Sequence, residues 1–116
     1  VKPGRPPEAL VERIAALATE RKARDVVSLD LRGISSATDF FVLASGGSDV
    51  HVKAIADHII DELRKEGVRA NHVEGFQSGR WVLVDYVDVV VHVFHSATRA
   101  FYQLEELWGD AVRKEH

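Results

Sequence analysis

The chain reads as an α/β protein, a mixed five-stranded sheet packed with helices. Three observations lead there. Apolar residues recur at helical spacing in three separate segments, short runs rich in Val, Leu and Phe stand between them, and glycines fall at the borders. The resulting order, α, β, β, α, β, β, β, α, leaves apolar faces that are buried together most simply by helices on a sheet of mixed parallel and antiparallel pairing.

Pro3, Pro6 and Pro7 make the start an extended arm, residues 1–7, with one domain expected over 8–116. Leu10, Ile14, Leu17, Ala18 and Arg21 then follow the i, i+3, i+4 spacing of a first helix. In "DVVSLDLR", residues 25–32, Val27, Leu29 and Leu31 alternate with Ser28 and Asp30, which predicts a half-exposed strand closed by Gly33. "DFFVLASGG" is continuously apolar, as a strand covered on both sides should be, and it runs into Ser48 or Asp49 as a helix N-cap. The helix predicted over about 49 to 66 puts Val52, Ile55, Ala56, Ile59, Ile60 and Leu63 on one side, and Gly67 stands where a left-handed residue ends a helix. A strand near Val68 to Val73 follows, then a hairpin in "GRWVLVDYVDVVVHVFH", residues 79–95. "SATRAFYQLEELWGDAV" finally spaces Phe101, Leu104, Leu107, Trp108 and Ala111 as the stripe of a last helix.

A length of 116 residues suits one domain, and 46% hydrophobic with 28% charged residues is ordinary for a folded, soluble protein. No apolar run reaches the roughly 18 residues that cross a bilayer, and the start lacks the apolar core of a signal peptide. A cytoplasmic protein without a membrane partner is expected. With no cysteine there is no disulfide, no thiolate nucleophile and no cysteine zinc site. A net charge of −3 argues against direct nucleic-acid binding and favours a basic partner. The one basic group, Arg13 with "ERKAR" (Glu20 to Arg24), reads as a solvated helix end.

The "SGGSD" loop, residues 45–49, feeds a helix N-terminus and could cradle phosphate, yet it lacks the Lys of a P-loop and the third glycine of a dinucleotide fingerprint. Asp49 would also repel the anion. The hairpin is richer, holding Asp85, Asp88, His92 and His95 in an apolar run. Strand parity separates these groups: His92 and His95 fall on opposite faces, and His51 and His58 stand two helical turns apart, so no metal site is expected. If Val82, Val84, Val89, Val91 and Val93 share one buried face, strand partners sum to an odd number. The expected register is 85 with 88, 83 with 90 and 81 with 92, turning at Tyr86 and Val87. The opposite face then presents Trp81, Leu83, Asp85, Asp88, Val90, His92 and Phe94 beside the loop "EGFQSGR", a mixture suited to a protein interface.

Three stretches, "TDFFVLASGGSDVHVKAIADHI", "EGFQSGRWVLVDYVDVVVHVF" and "RAFYQLEELWGDA", together resemble the ribosomal silencing factor family, also called Iojap-like, over residues 8 to 111. The resemblance implies a fold similar to nucleotidyltransferases without their catalytic carboxylates, hence no catalytic residue, metal or cofactor. It implies a translational repressor that binds ribosomal protein L-fourteen on the large subunit, sterically blocks the small subunit and lowers translation under nutrient limitation. The partner-binding positions carried over are Glu74, Gly75, Trp81, Val82, Leu83, Asp85 and Asp88, with His92 and Phe94 beside them; parity turns Val82 toward the core. Many members have glycine where this chain has Val87, and a two-residue turn asks there for a positive φ that a β-branched residue resists, so a wider turn is the alternative. Two rival readings stay open. One is a metal-dependent nucleotidyltransferase-like enzyme using Asp49, Asp85 and Asp88, and the other a homodimer through the aromatic face.

Overall fold

The computed structural model describes residues 6–97, 109 and 111–116. Helix α1 (Pro7–Glu20) starts on two prolines: Pro6 is the extended N-cap, and Pro7 opens the first turn, where a missing N–H removes no helical bond. Strands β1 (Arg24–Asp30) and β2 (Phe40–Gly46) pair antiparallel. Helix α2 (Asp49–Lys65) is capped by Ser48, whose hydroxyl accepts from the His51 amide at 3.1 Å, and ends before Gly67 at φ +86°. Strands β3 (His72–Glu74), β4 (Trp81–Asp85), β5 (Val89–His95) and β6 (Val112–Glu115) complete a six-stranded sheet in the order β3-β4-β5-β2-β1-β6. Among the described residues, only β2 and β5 run parallel.

The sheet has one strand more than the sequence predicts. "VRKE" of β6 shows no apolar alternation and is exposed at every position; it is a strand because its backbone pairs with β1, from Val27 opposite Glu115 to Asp30 opposite Val112. The stripe predicted for a last helix, Phe101, Leu104, Leu107 and Trp108, and residues 1–5 of the arm lie outside the described residues. β3 is shorter than the strand expected from Val68, which instead is buried just beyond α2.

The two described helices, α1 and α2, cover the same face of the sheet. Val42 and Ala44 of β2, Val82 and Val84 of β4, and Val89, Val91 and Val93 of β5 join Ile14 and Leu17 of α1 and Val52, Ile55, Ile59 and Leu63 of α2 in one cluster closed to solvent. The valine face of the hairpin thus packs under helices, as parity requires. On the other face Val27, Leu29, Leu31, Leu43 and Phe94 form a second buried cluster, with Phe41, Trp81 and Ala111 against it. The half-exposed β1 expected from alternation is corrected by this second cluster. Val26 packs on the helix side, buried Ser28 meets His116 Nε2 at 2.9 Å, and Val27 and Leu29 are buried on the far side.

Candidate partner-binding site

The β4–β5 hairpin keeps the predicted parity but slides by two residues. Trp81 lies opposite Phe94, Leu83 opposite His92 and Asp85 opposite Val90, while the Tyr86 amide donates to the Val89 carbonyl at 2.9 Å. The turn therefore consists of Val87 and Asp88. The expected pairs 85 with 88, 83 with 90 and 81 with 92 are corrected, because burial selects the face of each residue but not the offset between strands. A third strand selects the offset. β5 runs parallel to β2 from Phe40 beside Val89 onward, and the Asp39 and Phe40 amides both donate to the Asp88 carbonyl, at 3.0 and 3.1 Å, holding Asp88 just outside the ladder.

Within the turn the Val87 amide donates to Asp85 Oδ1 at 2.7 Å and the Asp88 amide to the Tyr86 carbonyl at 2.9 Å. These bonds wrap Val87 into a three-residue turn at φ +74°. The loop between the strands nevertheless stays at two residues, Val87 and Asp88, and a β-branched side chain bears the positive φ.

Asp85 and Asp88 consequently do not face each other. Asp85 shares the open face with Leu83, and Asp88 is exposed in the turn. Asp49 lines a separate hollow with Arg80, His95 and Ala97, at the opposite end of β4 from Asp85, so the three aspartates of the enzyme reading are not assembled. Among the described residues, no group of three His, Asp or Glu is placed to hold a metal. Gly46 of "SGGSD" serves packing, since a Cβ there would lie 3.0 Å from Val52, and the Gly47 amide is already donated to His51 Nδ1 at 2.9 Å.

What the open face does assemble is a groove of about 570 Å³ across four strands. Phe41 of β2, Val90 and His92 of β5, Leu83 and Asp85 of β4, and His72 and Glu74 of β3 line it, and Thr38, Ala37, Ser35 and Val87 close one end. His92 is 4% exposed. Its Nδ1 accepts from Trp81 Nε1 at 3.1 Å, and an indole nitrogen can only donate, so the neutral ring carries its proton on Nε2. Burial pushes the His92 pKa down to about 4, which keeps the ring uncharged at neutral pH. Phe41 meets the ring edge-on at 4.6 Å between centroids, and Trp81 packs on Phe94 at 5.0 Å. Among the described residues, three buried side-chain atoms have no hydrogen-bond partner: the Tyr86 hydroxyl in the helix-side cluster, and His92 Nε2 and Thr38 Oγ1 of two residues that line the groove.

Of the residues expected to contact a partner, Glu74, Leu83, Asp85 and His92 line the groove, and Trp81 stands half-buried beside it. Val82 is solvent-free on the helix side. Gly75, at φ +77°, sits where a Cβ would lie 2.1 Å from the Trp81 carbonyl oxygen, so glycine there lets the loop close on β4. Sequence reasoning missed Phe41 and Thr38. Parity along "DFFVL" places Phe41 opposite Val42 and could have assigned it to the open face; Thr38 lies in an irregular connection with no period to read.

Among the described residues, a mixed sheet with helices on one face and an aromatic, acid-flanked groove on the other defines an α/β protein. The chain matches the family model described as "Ribosomal silencing factor during starvation" over residues 4–116, and it belongs to that family. It is 45% identical over 104 residues to "Ribosomal silencing factor RsfS" of Bacillus subtilis, across 90% of this chain and 88% of that protein. It is 28% identical to "Mitochondrial assembly of ribosomal large subunit protein 1" of Mus musculus, across 84% of this chain and 44% of that protein. A crystal structure of a protein from Bacillus halodurans is similar with a TM-score of 0.80 at 40% identity, covering 87% of this chain and 94% of the other. The family read from three stretches of sequence is borne out.

Proposed function

We propose that the protein is a translational repressor. Its open sheet face docks on ribosomal protein L-fourteen of the large subunit, and the bound domain occupies space the small subunit needs, lowering translation when nutrients are scarce. The observation that carries this reading is the groove of a family member, with an apolar floor of Phe41, Leu83 and Val90 flanked by the carboxylates of Glu74 and Asp85. Apolar floor favours residence, and acidic flanks steer a basic partner. The names of the relatives, silencing in one and large-subunit assembly in the other, support the ribosome as the place of action.

Glu74, Trp81, Leu83, Asp85 and His92 are the contact residues in this reading, with Asp88 at the border. Gly75 and Val82 act indirectly, shaping the loop and backing the strand. Obstruction breaks no bond, so neither metal nor cofactor enters the mechanism, and a cytoplasmic setting suffices. Gradient sedimentation tests it: the protein should travel with isolated large subunits and reduce their joining when small subunits are added. A protein that stays at the top of the gradient overturns the proposal.

A further inference from the structure

Two polar atoms set the groove apart from an ordinary apolar patch. Thr38 is 8% exposed and His92 4%, both line the groove, and neither Thr38 Oγ1 nor His92 Nε2 has a partner among the described residues. A buried N–H or hydroxyl without a partner costs roughly 1–3 kcal/mol, and such groups are rare in folded proteins. The Trp81 bond to Nδ1 also fixes which way His92 can act, leaving Nε2–H as a donor only.

We infer that Thr38, near the hairpin turn, and His92, further along the groove, form a hydrogen-bonding socket for uncharged backbone carbonyl groups of a docked basic protein segment, whose apolar side chain rests on Phe41 and Leu83 and whose Lys or Arg meets Glu74 and Asp85. This rests on the docking reading above and adds the chemistry recognised there. A donor calls for an acceptor. A carboxylate or phosphate is disfavoured, because the Glu74 and Asp85 carboxylates flank the groove and His92 is neutral; an amide carbonyl carries no charge to be repelled. Nucleic acid is disfavoured by the same carboxylates. Both orphan atoms are buried although their residues line the groove, so a docked carbonyl reaches each of them with a side-chain rotation of the kind common at interfaces.

The test is binding of wild type, Thr38→Val, Thr38→Ser and His92→Phe to isolated large ribosomal subunits by sedimentation over a concentration series. Thr38→Val keeps shape and removes the hydroxyl, so the free protein should melt no lower than wild type while affinity drops roughly ten-fold. Thr38→Ser should bind as wild type, and His92→Phe should lose at least as much as Thr38→Val. Wild-type binding with an unweakened Thr38→Val overturns the socket and leaves the docking reading standing. Wild type that fails to bind the subunits overturns both. If His92→Phe does not fold, the Val and Ser variants at position 38 decide alone.

Discussion

The two faces of the sheet are built from the same strands and do opposite things with their apolar surface. On the helix side β2, β4 and β5 contribute mostly valines, each solvent-free, and α1 and α2 close over them. Burying each such side chain contributes roughly 1.5–3 kcal/mol, and all of that gain goes to folding. On the groove side the alternate residues are Phe41, Leu83, Asp85 and Val90, only half-buried, over a floor where His92 keeps an unpartnered N–H. One face is finished by folding alone. The other still holds apolar contact and a hydrogen-bond donor for something else to complete, so substitutions on the two faces should separate stability from binding.

The largest effect is expected on the closed face. Val91→Asp places a carboxylate among Val42, Val84 and the α2 side chains with no partner, and should cost on the order of 4 kcal/mol or more of stability. Chemical denaturation would show it, and an unchanged midpoint would contradict the closed face. Next in size is the pH response of the open face. His92 binds its proton at about 4 when folded, against an ordinary 6.5. The unfolded chain therefore takes up a proton across that window that the folded chain does not, so the stability from a neutral His92 is present above pH 6.5 and falls away as pH drops toward 4, by roughly 3 kcal/mol in all. His116, also lowered by burial, adds to the slope in the same direction. His92→Phe should flatten the slope without abolishing it; unfolding curves at pH 4.5 and 7, chosen as about the two ends of the window, measure the difference.

Leu83→Ala is the cleaner probe of docking. Leu83 is half-buried and lines the groove, so truncation should cost about 1 kcal/mol of stability while weakening large-subunit binding by ~30-fold, the scale of an interface hot spot. Trp81 is less clean because its indole packs on Phe94 and donates to His92, so Trp81→Ala would also lower stability. A Leu83→Ala protein that binds as wild type would shift docking off the groove.

How much of this was legible in the sequence depends on whether a residue's role is set by its own element or by a neighbour. Helix α2 was readable from cap to Gly67, because Ser48, the apolar stripe and the glycine act within one segment. So was the sidedness of the hairpin, since parity is local to a strand. The two-residue slip in register was not, because it depends on β2 running beside β5 and on the Asp39 and Phe40 amides seizing the Asp88 carbonyl. β6 escaped for a related reason: its four exposed residues are a strand only by virtue of β1. In the site, parity delivered Trp81, Leu83, Asp85 and His92 to one face, whereas Thr38 is brought there by tertiary folding of a loop.

The smallest effect concerns Val87, at the border between the faces. Its φ of +74° is strained for a β-branched residue, at a cost of about 1–3 kcal/mol, and the bonds from the Val87 and Asp88 amides hold the turn in that conformation. Glycine removes that strain but has more freedom to lose on folding, by roughly 0.5–1 kcal/mol. The balance favours glycine: Val87→Gly should raise stability by about 1 kcal/mol and the melting temperature by roughly 3–5 °C. Val73 on the edge strand β3 is also exposed but is not among the positive-φ residues, so Val73→Gly bears only the entropic cost and should lower the melting temperature instead. Opposite signs at the two valines would locate strain in the turn. Equal losses would show that the β4–β5 turn accepts a β-branched residue without cost, and that the bonds from Asp85 and Tyr86 already offset the positive φ.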